Sequence, residues 1–395
     1  MKKNLLISLG SRGDMEPFLA LGEELLSAGE EVAFCFPAQF EPLAREVSPN
    51  FFPMTPAFVE LLNHPDVKRI TGQVGSGWKR LRTIFKLLRS TKPIQQQLIK
   101  DQKSAIDLYA PDKVIFHIKC VYPVVAALRD HQEVALLSPV PCLLHAVANE
   151  PAIGFGEPKS VWWNTFTYAL SNYALIKQAI LGYGNPVLKR MGIAPLKKKE
   201  VHHFLLKELP VEFAIDEGLF PRPGNWPEHV TITGFRERNK SKHWAPSAAL
   251  LNFLEKYPKP LYVGFGSMIN SRPKEIGQDV LEVTAALNQP VLINTSWGGI
   301  EIEGTLPDHA FMVSDIPYDW LFDKVSGVVH HGGSGTTHSA LRCKRNQLII
   351  PHIGDQFLWN RLVHKAGFGP LGFPIKKWSK EKFRAALEAL RENYN

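Results

Sequence analysis

The amino-acid sequence predicts an α/β protein made of two parallel-sheet domains, and three observations support this prediction. The chain has 395 residues, more than one compact core usually holds, and this length suits two domains of about 150–200 residues each. A strand–helix–strand pattern opens the chain, and a second series of short apolar strands follows a segment rich in proline and glycine. Hydrophobic residues make up 45% of the chain and charged residues 21%, which excludes a disordered or fibrous protein.

The first domain is predicted to cover residues 1–222. Lys3–Leu9 is predicted to form a buried strand, Pro17–Ser27 a helix with proline at its first position, and Glu31–Phe36 the next strand. Such a βαβ unit indicates a parallel sheet, because the crossover helix returns the chain to start a second strand in the same direction. Further strands of this sheet are predicted at 112–116 and 134–137.

The second domain is predicted to cover residues 223–395, after a linker indicated by the Pro- and Gly-rich segment 218–227. A new series of apolar strands is predicted after the linker, at 260–265, 290–294, 326–330 and 347–350. Two parallel-sheet domains in one chain are expected to form a ligand-binding cleft between the carboxyl ends of their strands.

Cysteine spacing and hydropathy indicate the compartment. The four cysteines, Cys35, Cys120, Cys142 and Cys343, lie far apart and form no CxxC pair. We therefore expect a reducing compartment and neither a disulfide framework nor a zinc site. The apolar stretch at 5–9 is too short for a signal peptide, and the sequence contains no run of about 18 apolar residues. A cytoplasmic location is therefore expected.

Positive charge is concentrated in two segments. The formal net charge is +8; residues 67–100 contain nine Lys or Arg and residues 158–199 contain seven, with no Asp or Glu in either segment. Aromatic side chains such as Trp78 and Trp162 lie among these cations. Basic amphipathic segments of this kind are typical of peripheral contact with an anionic membrane surface, although a solvated cationic face over an ordinary core gives the same pattern. A nucleic acid is not an expected partner, because no binding motif for one is present.

The strongest functional signal is a glycine-rich turn between a predicted strand and a predicted helix. The strand ending at His330 leads into Gly332–Gly335, and a helix is predicted from His338. Glycine lets the backbone approach a ligand closely, and the free N–H groups at a helix start favour a diphosphate. The turn is not a P-loop, because no Lys-Ser/Thr pair follows the glycines. A tight turn that binds no ligand is the alternative.

An acid–amide pair, Asp355 and Gln356, follows the next predicted strand. Carboxylate and amide groups at the carboxyl end of a strand can bind neighbouring hydroxyls of a sugar, the carboxylate accepting hydrogen bonds and the amide doing both. Such pairs also cap helices, so the pair alone is a weak signal. Its place one βαβ unit after the glycine-rich turn makes a sugar contact the better interpretation.

These motifs together resemble a known family. His331–Thr337 (HGGSGTT) with Asp355 and Gln356 resembles the donor signature of family 1 glycosyltransferases, and Gly10–Pro17 (GSRGDMEP) resembles their amino-terminal loop. Three further segments are similar to the sterol glucosyltransferase branch and to bacterial antibiotic glycosyltransferases: Val263–Met268, Ser296–Gly299 and Asp315–Phe322. The resemblance implies the GT-B fold, in which two Rossmann-like domains face each other across a cleft.

The resemblance also implies how a nucleotide sugar would be held. The ring of His331 and the N–H groups at the start of the following helix would bind the diphosphate, and the backbone near Ile316 would meet the base. Ser267 would contact the phosphate or ribose, and the acid–amide pair would contact the hexose. Relatives need no metal, and no cofactor is expected beside the sugar donor. The implied donor-binding residues are Ser11, Arg12, Ser267, Ile316, His331, Gly333, Ser334, Gly335, Thr336, Asp355 and Gln356.

Asp14 is the predicted catalytic base. It lies in a glycine-bearing loop at the carboxyl end of a strand, where the resemblance implies that it takes the proton of the acceptor hydroxyl in an inverting displacement. Capping of the helix predicted from Pro17 is the alternative role, and the two roles can coexist. His117 and His145 are predicted to line the acceptor pocket, although a lone histidine is more often structural.

The expected activity is inverting transfer of a hexose, glucose by analogy, from a UDP-sugar to a hydroxyl of a lipophilic acceptor such as a sterol, carotenoid, polyketide or flavonoid. The alternatives are a catalytically silent relative that binds a nucleotide sugar or assists another transferase, and a nucleotide-sugar epimerase. A dehydrogenase is disfavoured because the first turn lacks GxGxxG. Plant-type family members carry glutamate eight residues after the donor-loop histidine, where this chain has Ser339. The expectation of UDP over dTDP therefore rests only on the resemblance to the sterol glucosyltransferase branch.

Overall fold

The computed structural model describes residues 1–63, 77–238, 240–295 and 298–393, without the side chains of 62–63, 77–90, 243 and 393. The chain divides into two compact units, Met1–Arg238 and Asn239–Asn395. Each unit contains one parallel β-sheet, so the predicted α/β class with two parallel-sheet domains is confirmed. Residues 67–76 of the first basic segment, and Ser296 with Trp297, lie outside the described residues.

The first unit is built on a seven-stranded sheet in the order β3-β2-β1-β4-β5-β6-β7, with every neighbouring pair parallel. Ile7 in the first strand lies opposite Phe116 in the fourth, so the loops that follow these two strands are neighbours at one edge of the sheet. The strands are β1 (Lys3–Ile7), β2 (Glu31–Pro37), β3 (Phe51–Met54), β4 (Lys113–Phe116), β5 (Glu133–Ser138), β6 (Val211–Phe213) and β7 (Val230–Ile232).

Helices cover this sheet, and apolar side chains of the first helix, including Met15 and Phe18, pack with Phe34 of β2 in one buried core. The helices are α1 (Arg12–Ser27), α2 (Glu41–Arg45), α3 (Ala57–Asn63), α4 (Gly77–Tyr109), α5 (Tyr122–Asp130), α6 (Val161–Ala174), α7 (Asn185–Arg190) and α8 (Lys198–His203). Two π-helical segments continue α6 and α8, and a 3-10 turn precedes α2; they are Leu175–Gly184, Phe204–Glu208 and Ala38–Phe40.

The second unit is built on a five-stranded parallel sheet in the order β10-β9-β8-β11-β12. Its strands are β8 (Leu261–Gly264), β9 (Val291–Asn294), β10 (Ala310–Val313), β11 (Gly327–His330) and β12 (Asn346–Ile349). Its helices are α9 (Ala248–Lys256), α10 (Pro273–Ala286), α11 (Tyr318–Leu321), α12 (Ser334–Arg342), α13 (Gln356–Lys365) and α14 (Lys380–Asn393), with 3-10 turns at Lys240–His243, Phe322–Lys324 and Ile375–Lys377. Two clusters of apolar side chains, one on each face of the sheet, form the core of this unit.

The prediction of a linker at 218–227 was wrong. Trp226 is 4% exposed, and its ring lies 5.0 Å from that of Phe213 in β6. The guanidinium of Arg222 donates to the carbonyl oxygens of Trp226, Pro227 and Val230. Proline and glycine marked turns here, but the aromatic residue among them is buried in the first unit, and the division between units falls at Arg238 instead of residue 222.

Two helices begin earlier than predicted. Helix α1 starts at Arg12, because Ser11 and Asp14 form a capping box, so Pro17 lies inside the helix. Helix α12 starts at Ser334 instead of His338, with Gly333 as its N-cap. No helix in the described part of the chain is both long and apolar enough to cross a membrane.

Candidate functional site

The loop between β1 and α1 holds Asp14 in a fixed position. Its Oδ2 accepts a hydrogen bond from the N–H of Ser11 at 2.7 Å and another from the Ser11 hydroxyl at 3.1 Å. Gly10 lies in the left-handed region at φ 143°, and a Cβ there would overlap the Asp14 carboxylate. The glycine and the serine therefore place this carboxylate at the N-terminus of α1, where the helix dipole favours it.

The second carboxylate oxygen of Asp14 faces two side chains from the loop after β4. Lys119 Nζ donates to Oδ1 at 2.8 Å, and His117 Nε2 lies 3.4 Å from the same oxygen. The N–H of Lys119 donates to His117 Nδ1 at 3.3 Å, so the proton of the neutral ring is on Nε2 and points toward Asp14. The structure thus places the predicted residue His117 beside Asp14 and adds Lys119, which the sequence did not indicate.

The charges around Asp14 set its protonation. Burial alone would raise the pKa of Asp14, but the Lys119 charge, the His117 ring and the hydrogen bonds from Lys119 and Ser11 together hold that pKa below its ordinary value. Burial and the Lys119 charge lower the pKa of His117 to about 3, against the opposing effect of Asp14. At neutral pH the site therefore contains an ionised Asp14 and a neutral His117 ring.

The other predicted residues of this loop have structural partners. Arg12 pairs with Glu16 at 3.0 Å along the exposed first turns of α1. Ser11 is the N-cap and is bound to Asp14. The donor contacts predicted for Ser11 and Arg12 stay predictions.

His145 lies at a cavity of about 640 Å³ within the first unit. Its ring meets that of His229 edge-on at 5.9 Å, and its buried Nε2 has no hydrogen-bond partner among the described residues. Burial, with the nearby His229 and Lys207, lowers the pKa of His145 to about 4. Helix α6 supplies part of the lining, including Tyr168 and Tyr173. The volume is that of a small-molecule pocket, and the role of His145 in lining an acceptor pocket stays a prediction.

In the second unit, the strand β11 leads through His331 and two glycines into α12. Gly332 adopts φ 88°, and a Cβ there would lie 2.6 Å from Ile349 Cγ2, so only glycine fits this turn. Gly333 is the N-cap and offers no side chain to the helix N-terminus, and the first turn of α12 contains no acidic residue. The N–H groups of Gly335 and Thr336 belong to this turn, which has no intrahelical acceptor for them.

His331 occupies a tight space between two glycine backbones. A Cβ on Gly266 would lie 2.8 Å from its Cε1, and a Cβ on Gly333 would lie 2.5 Å from its Nε2. Its Nδ1 is buried without a partner among the described residues. Burial, His330 and His352 hold the pKa of His331 well below its ordinary value, so a neutral ring with an unused nitrogen lies beside an open helix N-terminus.

His330, which sequence reasoning did not select, fixes this turn. The N–H of Gly332 donates to His330 Nδ1 at 3.1 Å, so Nε2 carries the proton that is donated to Gln347 Oε1 at 2.9 Å. Gln347 in turn donates from Nε2 to the carbonyl of Thr337 at 3.1 Å. This buried chain of hydrogen bonds ties β11, β12 and α12 together. The doubled histidine was the available signal, but the sequence does not tell which of the two faces inward.

Ser267 and Ile316 follow the carboxyl ends of two strands in the same unit. Ser267 is exposed in the loop after β8, and β8 is the neighbour of β11, which brings that loop beside His331. The side chain of Ile316 is buried in the apolar core. Only its backbone could therefore meet a base, as predicted.

Asp355 and Gln356 begin α13, and both side chains contact their own surroundings. Asp355 Oδ2 accepts from the Trp359 ring N–H at 3.2 Å. Gln356 is buried, and its Oε1 accepts from the N–H groups of His352 at 2.7 Å and Ile353 at 3.0 Å. The amide thus holds the loop before α13, and contacts of the pair with a hexose stay predictions.

Family models match one unit each. The Glycosyltransferase family 28 N-terminal domain matches residues 5–110, which lie in the first unit. The C-terminal domain of the Erythromycin biosynthesis protein CIII-like family matches residues 278–394, which lie in the second. The two matches cover the loop with Asp14 and the turn with His331.

Curated relatives match nearly the whole chain. A sterol 3-beta-glucosyltransferase of Arabidopsis thaliana is 28% identical over 98% of this chain, and another of Pichia angusta is 26% identical over 98%. Together with the family models, these relatives support a family 1 glycosyltransferase. The chain spans 62% of the length of the Arabidopsis relative and 31% of that of the Pichia relative.

Solved structures of glycosyltransferases share the fold of this chain. The glycosyltransferase of kitacinnamycin superposes with a TM-score of 0.69, at 16% identity, over 99% of this chain and 91% of that chain. VinC, solved in complex with dTDP, superposes with a TM-score of 0.66, at 16% identity and the same coverages. These similarities and the two parallel-sheet units confirm the GT-B fold.

Proposed function

We propose that this protein transfers a hexose from a UDP-sugar to a hydroxyl group of a lipophilic acceptor, with inversion at the anomeric carbon. The observation that supports this most is the combination of an uncapped helix N-terminus beside a neutral histidine in one unit with a buried, ionised aspartate in the other. The names of the relatives that match 98% of the chain supply the acceptor class and the sugar.

The turn at His331 is suited to hold the diphosphate of the donor. The first turn of α12 presents N–H groups toward an anion, and the unpaired nitrogen of His331 can donate one further hydrogen bond. Negative charge grows on the diphosphate as the glycosidic bond breaks, and donors already in place stabilise it without reorganisation. Ser339 is buried and donates its hydroxyl to the carbonyl of Gly335 at 2.9 Å, so it does not contribute the ribose contact of plant-type relatives.

The two carboxylate oxygens of Asp14 have different roles. Oδ2 is bound by Ser11 and maintains the cap of α1. Oδ1 is bound by Lys119 Nζ at 2.8 Å, at a place that an acceptor hydroxyl would take when it donates its proton. The Lys119 side chain is 41% exposed and can move away. Its departure raises the pKa of Asp14 and makes the carboxylate a stronger base at the moment when a hydroxyl binds.

Surface contact with an anionic membrane is the proposed route to a lipophilic acceptor. Helix α6 exposes an apolar stripe of Trp162, Phe166 and Leu170 at four-residue spacing, and Trp162 is 71% exposed. Lys159 and Lys177 lie over aromatic rings at the two ends of this helix. An exposed apolar stripe with cations and no acid in segment 158–199 is the pattern of an interfacial helix. Replacing Trp162 and Phe166 by serine should abolish co-sedimentation with anionic vesicles; retained binding by this variant would contradict the proposal.

The transfer itself is tested by UDP release from UDP-glucose with a panel of sterols, carotenoids and flavonoids. We expect release that depends on the acceptor, a loss of at least about 100-fold in Asp14→Asn and unchanged UDP affinity in that variant. Asp107→Asn, on an exposed ion pair with Lys103, is the matched control. Full turnover by Asp14→Asn would contradict the role of the base. Tight UDP binding without release for any acceptor would favour a catalytically silent nucleotide-sugar-binding protein.

A further inference from the structure

The cavity of the first unit has an unusual distribution of charge. Its inner wall is apolar, with Leu144, Ile176 and Leu206 among the lining residues, while Lys198 and Lys207 lie exposed at its edge. No Asp or Glu is among the described residues that line it. The cavity therefore has an apolar interior and a positively charged rim.

In the part of the chain that the structure describes, the lysines at the rim have no acidic partner. Lys198 Nζ lies 4.8 Å from the centre of the Tyr173 ring, and neither Lys198 nor Lys207 forms an ion pair within the described residues. The acids nearest in sequence are engaged elsewhere, Glu200 with Arg129 at 2.6 Å and Glu208 with His203 at 3.1 Å. Two ammonium groups are thus available to an anion from outside the chain.

A second observation also indicates a ligand. His145 is 8% exposed, lines the cavity, and has a buried Nε2 without a partner among the described residues. The loop before it holds Cys142 and Leu144 at φ 63° and 55°, a backbone conformation that non-glycine residues adopt at a cost. A buried polar atom left unsatisfied in a folded protein is rare, and a hydrogen-bonding group of a bound molecule would satisfy it.

We propose that this cavity binds an apolar molecule that carries an anionic group, with the apolar body against Ile176 and Leu206 and the anion at Lys198 and Lys207. The inference rests on the proposed function in one respect, since it names this molecule as the acceptor of the sugar. It narrows the acceptor class from neutral lipids to acidic ones. Binding to the cavity itself requires no sugar donor.

A matched pair of ligands tests the charge. Lithocholic acid and its methyl ester share one hydroxylated steroid body and differ in a single negative charge. Without donor, calorimetry should give the acid a dissociation constant about tenfold lower than the ester, and the difference should shrink as NaCl increases from 50 to 500 mM. Equal affinities of acid and ester would overturn the proposal.

Variants then place the binding in this cavity. The double variant Lys198→Gln with Lys207→Gln should lose the preference for the acid, while Lys113→Gln with Lys189→Gln, two lysines outside the lining, should keep it. Ala169→Trp should weaken both ligands because position 169 lines the cavity, whereas Gln178→Trp, at an exposed position outside the lining, should not. A preference that survives in the first double variant would overturn the proposal.

The acceptor role is separated from the binding by adding UDP-glucose. Mass spectrometry should detect a glycosylated acid in the wild-type protein. Lysine-dependent binding without glycosylation would overturn the acceptor role and leave the cavity site standing. Glycosylation of the acid that is unaffected in the lysine double variant would overturn the assignment to this cavity while supporting the transfer reaction.

Discussion

Two loops in this molecule share a local architecture and differ in what fills the helix end. In each unit, a parallel strand leads through a short glycine-containing loop into a helix, α1 after β1 and α12 after β11. The first helix carries Asp14 in its first turn, bound to Ser11. The second has Gly333 at the N-cap and no acid in its first turn. One helix end is therefore occupied by the chain's own carboxylate, and the other is open.

The difference shows how one side chain decides the use of a helix N-terminus. An internal carboxylate satisfies the free N–H groups and the dipole, so it excludes an external anion. It is also held in place, and its second oxygen stays available to other groups. A helix that lacks the carboxylate keeps its N–H groups for a ligand. The two loops thus serve opposite ends of the proposed reaction with the same backbone arrangement.

The largest effect is expected when the second loop is made to resemble the first. A Cβ at Gly335 meets no atom within 4 Å, so Gly335→Asp places a carboxylate in the first turn of α12 without a clash. We expect the dissociation constant of UDP to rise about 10- to 100-fold through charge repulsion, while the thermal stability of the free protein rises slightly. Calorimetry and thermal unfolding measure the two effects.

The control for that variant is Gly335→Asn, which has the same shape without the charge. We expect it to change the UDP dissociation constant by less than about threefold. Equal losses in the two variants would mean that volume, and not charge, weakens the nucleotide, and would contradict the anion-binding interpretation of α12.

A smaller effect is expected when the external partner of Asp14 is removed. Lys119→Gln removes the charge that most strongly lowers the pKa of Asp14, so this pKa rises in the variant. Because the base must be ionised, the acid limb of the kcat/KM profile should move to higher pH, and kcat/KM at low pH should fall below that of the wild type. Lys113→Gln, on the adjacent β4 and paired with Glu133, is the control and should leave the limb unchanged.

The same variant changes stability with a defined sign. A carboxyl group with a folded-state pKa below its unfolded value stabilises the fold above the unfolded pKa, and this contribution is lost as the pH falls through the folded value. The stability difference between wild type and Lys119→Gln should therefore be larger at pH 7 than at pH 3. A difference that is independent of pH would contradict the Asp14–Lys119 pairing.

The smallest effect is expected at the cap itself. Ser11→Ala removes the hydroxyl that donates to Asp14 Oδ2 and should lower the free energy of unfolding by about 1 kcal/mol. Ser27→Ala, at the exposed carboxyl end of the same helix, should lower the free energy of unfolding by only a few tenths of a kcal/mol. Denaturant unfolding of both variants measures the two losses in the free energy of unfolding. A loss at Ser27 that equals the loss at Ser11 would show that the cap does not stabilise α1.

Local sequence signals predicted the elements that depend on near neighbours. The strands ending near Ile7, His330 and Ile349 were predicted from short apolar runs, and the glycine-rich turn from its composition. The start of α1 was predicted too late because proline was given more weight than the Ser11-x-x-Asp14 spacing, which is itself a capping signal.

The short strands β3, β6, β7 and β10 were missed. They have three or four residues, of which at most two are buried, whereas predicted strands of similar length such as β8 and β11 are buried throughout. The missed strands therefore lack the continuous apolar run that indicates a buried strand. Their pairing in the sheets, and not their own sequence, defines them as strands. Trp226 shows the same limit, because its neighbours have the composition of a linker and only packing on Phe213 places it in the first unit.

The sequence by itself determined the α/β class, the two parallel sheets, the glycines that the turns require and the candidate residues Asp14 and His331, because each depends on periodicity or backbone conformation within a few residues. The tertiary structure alone decided that Lys119 and His117 face Asp14, that His330 holds the turn while His331 Nδ1 has no partner among the described residues, and that two lysines lie at the rim of an apolar cavity. Asp14 and Lys119 are 105 positions apart. They meet because β1 and β4 are neighbours in the sheet, and strand order follows from the packing of the whole unit.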